Sequence, residues 1–341
     1  MLMGLSDMKL RWTPKRVAAV SLTVALIAAG GITADLTLGA APKAVHRPPP
    51  SAPPSPKTAV QLVSPFTGEP VTSLSKVIAV KIDNIVYARP QTGLGAADIV
   101  YVIPVEGGLS RFMAIYSSRV PPVIGPVRSA REDDLELLRQ FGRPAFAYSG
   151  AQPHLLPVVE HARTVDLYSG IAGGYYRDNR RIAPYNLYAR GPELQAEASG
   201  ASVAHNIGFR FGPAPAGGQQ ATTESVSYAA ARFTFTYSPA AARWLVSMDG
   251  RPALSTDSGQ LSAATVVIQH TIVRTSPYIE WGLLPPYAES TGSGSALVLR
   301  DGLAYQAHWS RPSPDGGTTL TTATGQPMTF ADGPVWVVLT S

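Results

Sequence analysis

Near its start the chain contains an uncharged apolar run, and the nature of this run limits which residues can belong to a globular core. Residues 17–34 contain no charged side chain and are rich in Ala, Val, Leu and Ile, whereas residues 1–16 form a basic leader. This pattern fits a signal peptide or one transmembrane anchor, with the leader in the cytoplasm. Small residues at 39–41 would suit a cleavage site, so cleavage and retention both stay open.

A proline-rich segment separates this run from the rest of the chain. Residues 35–59 are predicted to be a linker, because 42–57 contain seven prolines and such a chain is extended and semi-rigid. The segment has few apolar side chains to bury. We therefore expect the folded region to begin near residue 60 and to lie outside the cytoplasm, at the cell membrane or exported.

The hydrophobic pattern after residue 60 predicts two domains. Residues 60–205 mix strand-like and helix-like patterns, as in an N-terminal α/β domain. Residues 206–231 are rich in small and polar residues and are predicted to be a linker or long loop. Residues 232–341 show short β patterns, so the predicted class is α+β, with a smaller, mostly-β C-terminal domain.

The period of the apolar residues predicts the individual elements. In the N-terminal domain it predicts strands at 77–83, 99–106, 111–116 and 145–149, and helices at 130–141, 155–162 and 188–199. In the C-terminal domain it predicts strands at 233–237, 244–248, 265–272, 296–300, 304–309 and 335–339. Asp301 and Gly302 predict a hairpin turn between two of these strands.

The folded region has no net charge, and the chain has no cysteine. The chain has 28 Lys and Arg and 23 Asp and Glu; residues 1–57 hold seven and two of these, which leaves 21 of each sign. A neutral folded region gives no support to nucleic-acid binding, which needs a basic face. The lack of cysteine excludes disulfides, thiolate nucleophiles, thiolate metal ligands and a lipid anchor on cysteine.

The segment GPVRSAR is the strongest candidate for a binding site. Ser129 and Glu132 predict a capping box at the start of a helix, and Arg128 and Arg131 flank that start. A helix N-terminus with two guanidinium groups suits a phosphate or a carboxylate. The alternative is that Ser129 only caps the helix while the arginines pair with the acids that follow.

Three further polar clusters lie at predicted strand ends or in loops, where α/β domains place their sites. Their members are Asp83, Asn84, Arg89 and Gln91; Asp98, Glu106 and Arg111; and Arg177, Arg181 and Asn186. We expect five arginines to converge on one pocket for an anion, namely Arg89, Arg128, Arg131, Arg177 and Arg181. The alternatives are solvated surface residues, or a structural salt-bridge network in which acids neutralise the arginines.

The sequence contains no recognisable catalytic pattern. The motifs G-x-S-x-G and H-E-x-x-H are absent, and the six histidines are scattered. No cofactor is identified. Asp83 and Asp98 together would suit Mg²⁺ beside an anion, and paired surface carboxylates without a metal are the alternative.

Several segments in order resemble the YerB family of bacterial envelope proteins, whose domain has no known function. They are IAVKIDN at 78–84, ARPQTGLGAADIVYV at 88–102, EGGLSRFMAIY at 106–116, GPVRSAR at 125–131, YYRDNRRIAPYNLYA at 175–189 and, more loosely, GSGSALVLRDG at 292–302. The resemblance implies an N-terminal α/β domain, a C-terminal β domain and an envelope location. Members are typically lipoproteins, and this chain lacks the cysteine they use, so its anchor is either a helix or absent.

A weaker likeness is to the LytR-CpsA-Psr transferases, which move glycan polymers from polyprenyl pyrophosphate to the cell wall. It rests on Asp83 after a strand, the run ADIVY, a hairpin and an arginine-bearing segment. The likeness implies arginines that hold pyrophosphate and aspartates that hold Mg²⁺. The Arg-Ser-Asp triplet typical of that family is absent from this chain.

Three functions therefore stay open. The first is a non-catalytic, membrane-tethered or secreted module that binds an anionic cell-wall polymer or a lipid-linked pyrophosphate. The second is a glycan transferase of the LytR-CpsA-Psr type, and the third is a structural partner of another envelope protein. If the apolar run is retained, residues 17–34 supply the contact with the membrane, and in all three cases nucleic acid is not a partner.

Overall fold

The computed structural model describes residues 61–280 and 282–341. The predicted leader, apolar run and proline-rich linker, residues 1–59, lie outside these ranges. Among the described residues, no helix combines the length and the apolar character needed to cross a membrane. Residues 58–341 form one compact unit.

Strands dominate the described residues, and the α-helices there are short. The helices are α1 (Glu132–Leu138), α2 (Leu156–Glu160) and α3 (Gly191–Glu197). The first eight strands are β1 (Ile78–Asp83), β2 (Ile99–Val105), β3 (Leu109–Tyr116), β4 (Val123–Ile124), β5 (Ala145–Tyr148), β6 (Val165–Tyr168), β7 (Tyr175–Arg177) and β8 (Leu187–Arg190). The next eight are β9 (Gln219–Gln220), β10 (Thr223–Tyr228), β11 (Ala231–Ser238), β12 (Arg243–Met248), β13 (Arg251–Pro252), β14 (Leu254–Ser255), β15 (Gly259–Gln260) and β16 (Ser262–Ala263). The last seven are β17 (Thr265–His270), β18 (Val273–Thr275), β19 (Pro286–Ala288), β20 (Gly292–Arg300), β21 (Leu303–Arg311), β22 (Thr319–Thr322) and β23 (Val335–Thr340).

One large sheet runs through both predicted domains. Its strand order is β22-β21-β20-β17-β23-β2-β3-β1-β5-β6, with β9 beside β21. Strand β23 lies between β17 and β2 and is parallel to both of them. The strand that comes last in the sequence therefore joins the two predicted domains through backbone hydrogen bonds.

The large sheet has an apolar core on each face. In and next to β1, Ile78, Val80 and Ile82 belong to one core, whereas Val77 and Ala79 belong to the other. Successive side chains of a strand point to opposite faces, so a strand covered on both faces needs apolar residues at consecutive positions. This explains why the fully buried strands β1 and β2 show nearly unbroken apolar sequence.

A smaller sheet and α3 cover one face of the large sheet, and α1, α2 and loops cover the other. The smaller sheet has the order β10-β11-β12-β13, with β16 beside β12. Its side chains Phe233, Phe235 and Trp244 belong to the same core as Ile78. The opposite core receives Leu138 of α1. The large sheet is thus the middle layer, and its strand ends are open to the loops.

The linker or long loop predicted at 206–231 is part of the folded unit. The segment contains β9 and β10, and Ile207 and Phe209 are buried in the core on the helix side. Strand β10 pairs with β11 along its whole length, which satisfies its backbone. Its polar residues resembled a loop because β10 is an edge strand with one face toward solvent.

The mostly-β character predicted for the C-terminal domain is confirmed, but the N-terminal domain contains less helix than a mixed α/β domain. Strand β8 takes the first residues of the helix predicted at 188–199, and the helix itself begins at Gly191. The helix predicted at 130–141 begins only at Glu132. The N-terminal domain is therefore a part of the large sheet with short helices packed on it.

Candidate functional site

The ends of β1 and β2 meet the start of β3 at one end of the large sheet, which we call the site end. Asp83 closes β1 and is paired with Arg111 of β3, and Glu106 directly follows β2. Strand β3 runs back between β1 and β2, so antiparallel pairing brings these positions together. Residues from separate sequence clusters thus share one location.

Glu106 holds two buried arginines. Its carboxylate accepts hydrogen bonds from Arg111 Nη2 at 3.2 Å and from Arg131 Nε at 2.9 Å, and a further bond from Arg131 Nη2. Burial by itself would raise the pKa of Glu106, but the bonds from Arg131 and the charge of Arg111 lower this pKa to about 2. Burial and the charge of Arg131 lower the pKa of Arg111 to about 10. All three groups are therefore charged at neutral pH.

Protein atoms also occupy most of the remaining donors of these two arginines. Arg131 Nη1 donates to the carbonyl oxygen of Ala130 at 2.8 Å, and its Nη2 lies 3.3 Å from Glu280 Oε1. Arg111 Nη1 donates to the carbonyl oxygen of Ser129 at 3.0 Å. Both side chains are buried, so their place is in a structural network.

Arg128 differs because its guanidinium faces open space. Its Nε lies 3.0 Å from Asp83 Oδ2, but the two atoms are not aligned as a hydrogen bond. The side chain is 22% exposed, and its guanidinium carbon lies 5.7 Å from the ring centroid of Tyr185. In front of it lies a pocket of about 490 Å³, which we call the Arg128 pocket, lined by Arg128, Ser129, Ala151, Gln152, Pro153, Pro184, Ile279 and Glu280.

A second polar cluster connects the site end to the C-terminal domain through hydrogen bonds and an ion pair. Asn84 Oδ1 accepts hydrogen bonds from Arg89 Nε at 3.1 Å and from Gln91 Nε2 at 3.2 Å. Arg89 Nη1 donates to Asp249 Oδ2 of the C-terminal domain at 2.6 Å. The charge of Arg89 is therefore matched within the protein.

The loop between β7 and β8 holds the remaining predicted site residues. Arg177 Nη1 donates to Asn186 Oδ1 at 2.8 Å. Arg181 donates to the carbonyl oxygens of Ala88 at 3.0 Å and Pro90 at 2.7 Å. These bonds fasten the loop to the segment that follows β1.

The convergence of five arginines on one pocket is not observed. Arg128, Arg89 and Arg181 line three different pockets. Arg131 is buried, and Arg177 is exposed at the end of β7. The five side chains were expected to share a ligand because nothing in the sequence revealed the acids and carbonyl groups that hold them separately.

Asp98 lies at the opposite end of the large sheet, which corrects the predicted magnesium site. Its Oδ2 accepts the backbone N–H groups of Ser117 at 2.6 Å and Ser118 at 2.9 Å. Strands β1 and β2 are both antiparallel to β3, so Asp83 and Asp98 lie about one strand length apart, on the order of 20 Å. They cannot share an ion. No group of three or more His, Asp or Glu is placed to hold a metal in the described part of the chain.

The helix N-terminus predicted as an anion site is occupied by the protein itself. Arg131, rather than Ser129, precedes α1, and Asp134 Oδ2 accepts the Arg131 backbone N–H at 2.7 Å. Glu132 and Asp133 complete the first turn. Acidic side chains of the protein therefore fill the start of this short helix, and Asp134 is itself paired with the buried Lys81, so any anion binding at this end depends on side chains.

Glu280 and Gln152 belong to the site and were not predicted. Glu280 reaches Arg131 from the loop between β18 and β19. Its one signal in the sequence is that it stands alone among the apolar residues of 277–286. A buried acid in such surroundings usually has a cationic partner, although the sequence does not say which one. Nothing in the sequence around Gln152 indicated that it would lie at the site.

Comparisons with known proteins agree with this architecture. "Protein of unknown function (DUF3048) N-terminal domain" matches residues 66–204, and the corresponding C-terminal domain matches 224–337. "Putative lipoprotein YerB" of Bacillus subtilis (strain 168) is 35% identical over 139 residues, which are 39% of this chain and 41% of that protein. The match thus spans less than half the length of that relative. The crystal structure of the YerB protein from Bacillus subtilis has a TM-score of 0.69 and 22% identity, and the match covers 82% of this chain and 97% of that one. That likeness supports the fold alone.

Proposed function

Since this chain belongs to the YerB-like family of proteins of unknown function, we propose its function from its own geometry. The protein is an exported, membrane-tethered envelope protein that binds an anionic ligand in the Arg128 pocket. It holds this ligand without transforming it.

The observation that carries the proposal is the contrast among the arginines of the site end. Glu106 and backbone carbonyl groups occupy most donors of Arg111 and Arg131. Arg128 makes no aligned hydrogen bond to a described protein acceptor, and it lines an open pocket. A guanidinium has five N–H donors in a fixed fork, which matches the paired oxygens of a phosphate or carboxylate.

The charge balance of the site end limits how tightly an anion binds. Three arginines face three carboxylates there: Arg111, Arg128 and Arg131, with Asp83, Glu106 and Glu280. Because these charges cancel, no strong positive field attracts a ligand from a distance. We therefore expect modest affinity and a weak dependence on salt, with selectivity set by directed hydrogen bonds.

The ionisation of Glu106 supports binding over catalysis. A general acid or base works best when its pKa lies near the operating pH. The pKa of Glu106 lies at about 2 because Arg131 and Arg111 outweigh the effect of burial, so this carboxylate does not exchange protons near pH 7. The transferase alternative also required Asp83 and Asp98 on one metal ion, and we do not propose it.

The proposed location rests on the beginning of the chain and on one relative. Residues 17–34 have the composition of an export signal or an anchor. The relative from Bacillus subtilis is named a lipoprotein. This chain has no cysteine to carry a lipid, so its tether would be the apolar run itself.

Replacing Arg128 by Ala tests the proposal. In calorimetric titrations of residues 58–341 with inorganic pyrophosphate, we expect at least tenfold weaker binding. A charge-assisted hydrogen bond contributes about 1.5–3 kcal/mol, and about 1.4 kcal/mol corresponds to a factor of ten. Arg128→Ala also removes the charge partner of Asp83, whose side chain is only 6% exposed, so we expect a lower thermal midpoint and the titrations are run well below it.

Arg163→Ala is the matched control for this experiment. Arg163 is exposed and pairs with Asp315, away from the Arg128 pocket, so this variant should bind pyrophosphate like the wild type. Equal affinity of the Arg128 variant and the wild type would refute the role of Arg128. Absence of binding by the wild type would refute the binding function.

A further inference from the structure

A hairpin beside the Arg128 pocket presents apolar side chains to solvent. Strands β18 and β19 form the hairpin, and Ile279, Leu283 and Leu284 lie in the loop between them. These side chains are 52%, 49% and 56% exposed. Large apolar groups that cluster on a surface mark a place of contact with another apolar phase.

The hairpin loop is held in a fixed position. The backbone of Glu280 and Leu283 forms two hydrogen bonds, of 2.8 and 2.9 Å, across the loop. At its base, Tyr287 Oη donates to Glu136 Oε2 of α1 at 3.0 Å. Together with the ion pair between Glu280 and Arg131, these contacts tie the described residues of the hairpin to the domain.

A second apolar edge lies on the other side of Arg128. Val86, Tyr87 and Ile182 are 62%, 66% and 71% exposed. The ring of Tyr87 stacks on the ring of Tyr185 at 5.8 Å, and Tyr185 is the ring beneath Arg128. This edge is therefore in direct contact with the surroundings of the guanidinium.

The two apolar edges flank one cationic group. Ile279 from the hairpin and Pro184 from the β7–β8 loop both line the Arg128 pocket. A guanidinium between exposed apolar side chains matches the chemistry of a lipid–water interface, where phosphate lies directly above the acyl chains. Apolar groups enter the acyl boundary in such a contact while the cation stays at the phosphate level.

We propose that the site end docks on the surface of an anionic phospholipid bilayer. Ile279, Leu283 and Leu284 insert on one side, Val86 and Ile182 on the other, and Arg128 binds a lipid phosphate between them. The proposal rests on the proposed function, because it uses the anion-binding capacity of the Arg128 pocket. It goes beyond that function by naming the ligand as the headgroup of a membrane lipid.

The beginning of the chain keeps such a surface within reach. Residues 17–34 are the predicted membrane segment, and residues 35–60 connect them to the described domain. At 3.3–3.6 Å per residue this connection spans at most about 90 Å. A domain confined to that distance meets the bilayer at a high effective concentration, so a weak interfacial contact is sufficient.

Vesicle sedimentation with residues 58–341 tests the proposal without the apolar run. These residues form one compact unit, so the fragment is expected to fold. We expect it to sediment with phosphatidylglycerol vesicles and much less with phosphatidylcholine vesicles, because the choline cation of the latter competes with Arg128 for the lipid phosphate. The triple variant Ile279→Ser, Leu283→Ser, Leu284→Ser should lose at least tenfold in vesicle binding and keep its affinity for inorganic pyrophosphate. Arg128→Ala should lose both.

A second triple variant, at the opposite end of the sheet, controls for general loss of exposed apolar area. Leu62→Ser, Val63→Ser, Leu74→Ser replaces side chains of similar exposure and should bind vesicles like the wild type. Pyrophosphate binding without vesicle binding would overturn the docking proposal and leave the proposed function intact. Equal losses in the two triple variants would also overturn it. Absence of pyrophosphate binding by the wild type would remove the proposed function itself.

Discussion

The two ends of β2 carry buried carboxyl groups whose pKa values shift in opposite directions. Asp98 precedes the strand, and burial raises its pKa to about 6 despite the hydrogen bonds from Ser118 and Ser117. Glu106 follows the strand, and its arginine partners lower its pKa to about 2 against the effect of burial. Desolvation acts on both groups, so the partners decide the outcome.

The opposite pKa shifts show that Asp98 belongs to a structural turn, whereas Glu106 belongs to a network of charged side chains. The backbone amides around Asp98 orient its carboxyl group but bring no compensating charge. Glu106 is paired with two guanidinium groups and keeps its charge in a mostly buried place. Buried acids in this sheet therefore indicate a charge network only where arginines reach them.

The largest expected effect tests the network itself. Glu106→Gln leaves Arg111 buried without its carboxylate and Arg131 with only Glu280 as a charged partner. Removal of one partner from a buried ion pair typically costs about 3–5 kcal/mol. We expect a loss of that order in the free energy of unfolding, measured by urea denaturation at pH 7.

Asp315→Asn is the matched control. Asp315 also pairs with two arginines, Arg139 and Arg163, but all three side chains are largely exposed. Exposed ion pairs contribute little because water screens them, so this variant should match the wild type within error. Equal losses in the two variants would mean that burial is not what makes the Glu106 network important.

The next largest expected effect is a loss of stability at acid pH, caused by protonation of Glu106. The folded pKa of Glu106, about 2, lies below the ordinary value of 4.5. Its contribution to stability is therefore fully present above pH 4.5 and is lost as the pH falls toward 2. We expect protonation of Glu106 over this pH range to lower the free energy of unfolding by about 2–3 kcal/mol. Urea midpoints measured across this range should fall more steeply for the wild type than for Glu106→Gln, and parallel curves would contradict the assignment.

The smallest effect belongs to the other end of β2. The folded pKa of Asp98, about 6, lies above the ordinary value of 3.8. Its favourable contribution is therefore complete below pH 3.8 and is lost as the pH rises through about 6. Asp98→Asn keeps an oxygen for the two backbone N–H groups and removes the charge, so it should stabilise the protein at pH 7 by about 1–2 kcal/mol. Denaturation at pH 7 measures this gain, and a loss would show that the ionised form is needed there.

The positions of the fully buried central strands were predictable from sequence, because their apolar residues are contiguous. Strands predicted at 77–83 and 335–339 correspond to β1 and β23 within one residue at each end. The turn predicted at Asp301 and Gly302 is also confirmed, with φ angles of 52° and 73° that a two-residue hairpin loop requires.

The neighbours of each strand were not predictable, and this limited the prediction of the site. Periodicity shows which face of a strand is buried but not which strand lies beside it. The Mg²⁺ hypothesis for Asp83 and Asp98 failed because it needed the direction of β2 relative to β1. The role of Glu280 was missed for the same reason, since its partner Arg131 lies far away in the sequence.

The position of β23 has a consequence for how the chain folds during synthesis. Synthesis releases the N-terminal residues first, so β2 appears long before β23, the strand that pairs with its outer edge. Until Val335–Thr340 arrives, β2 exposes unpaired backbone and apolar side chains, which is the usual template for aggregation. Strand β23 pairs last, so a truncation or proteolytic cut just before it would leave the edges of β2 and β17 unpaired.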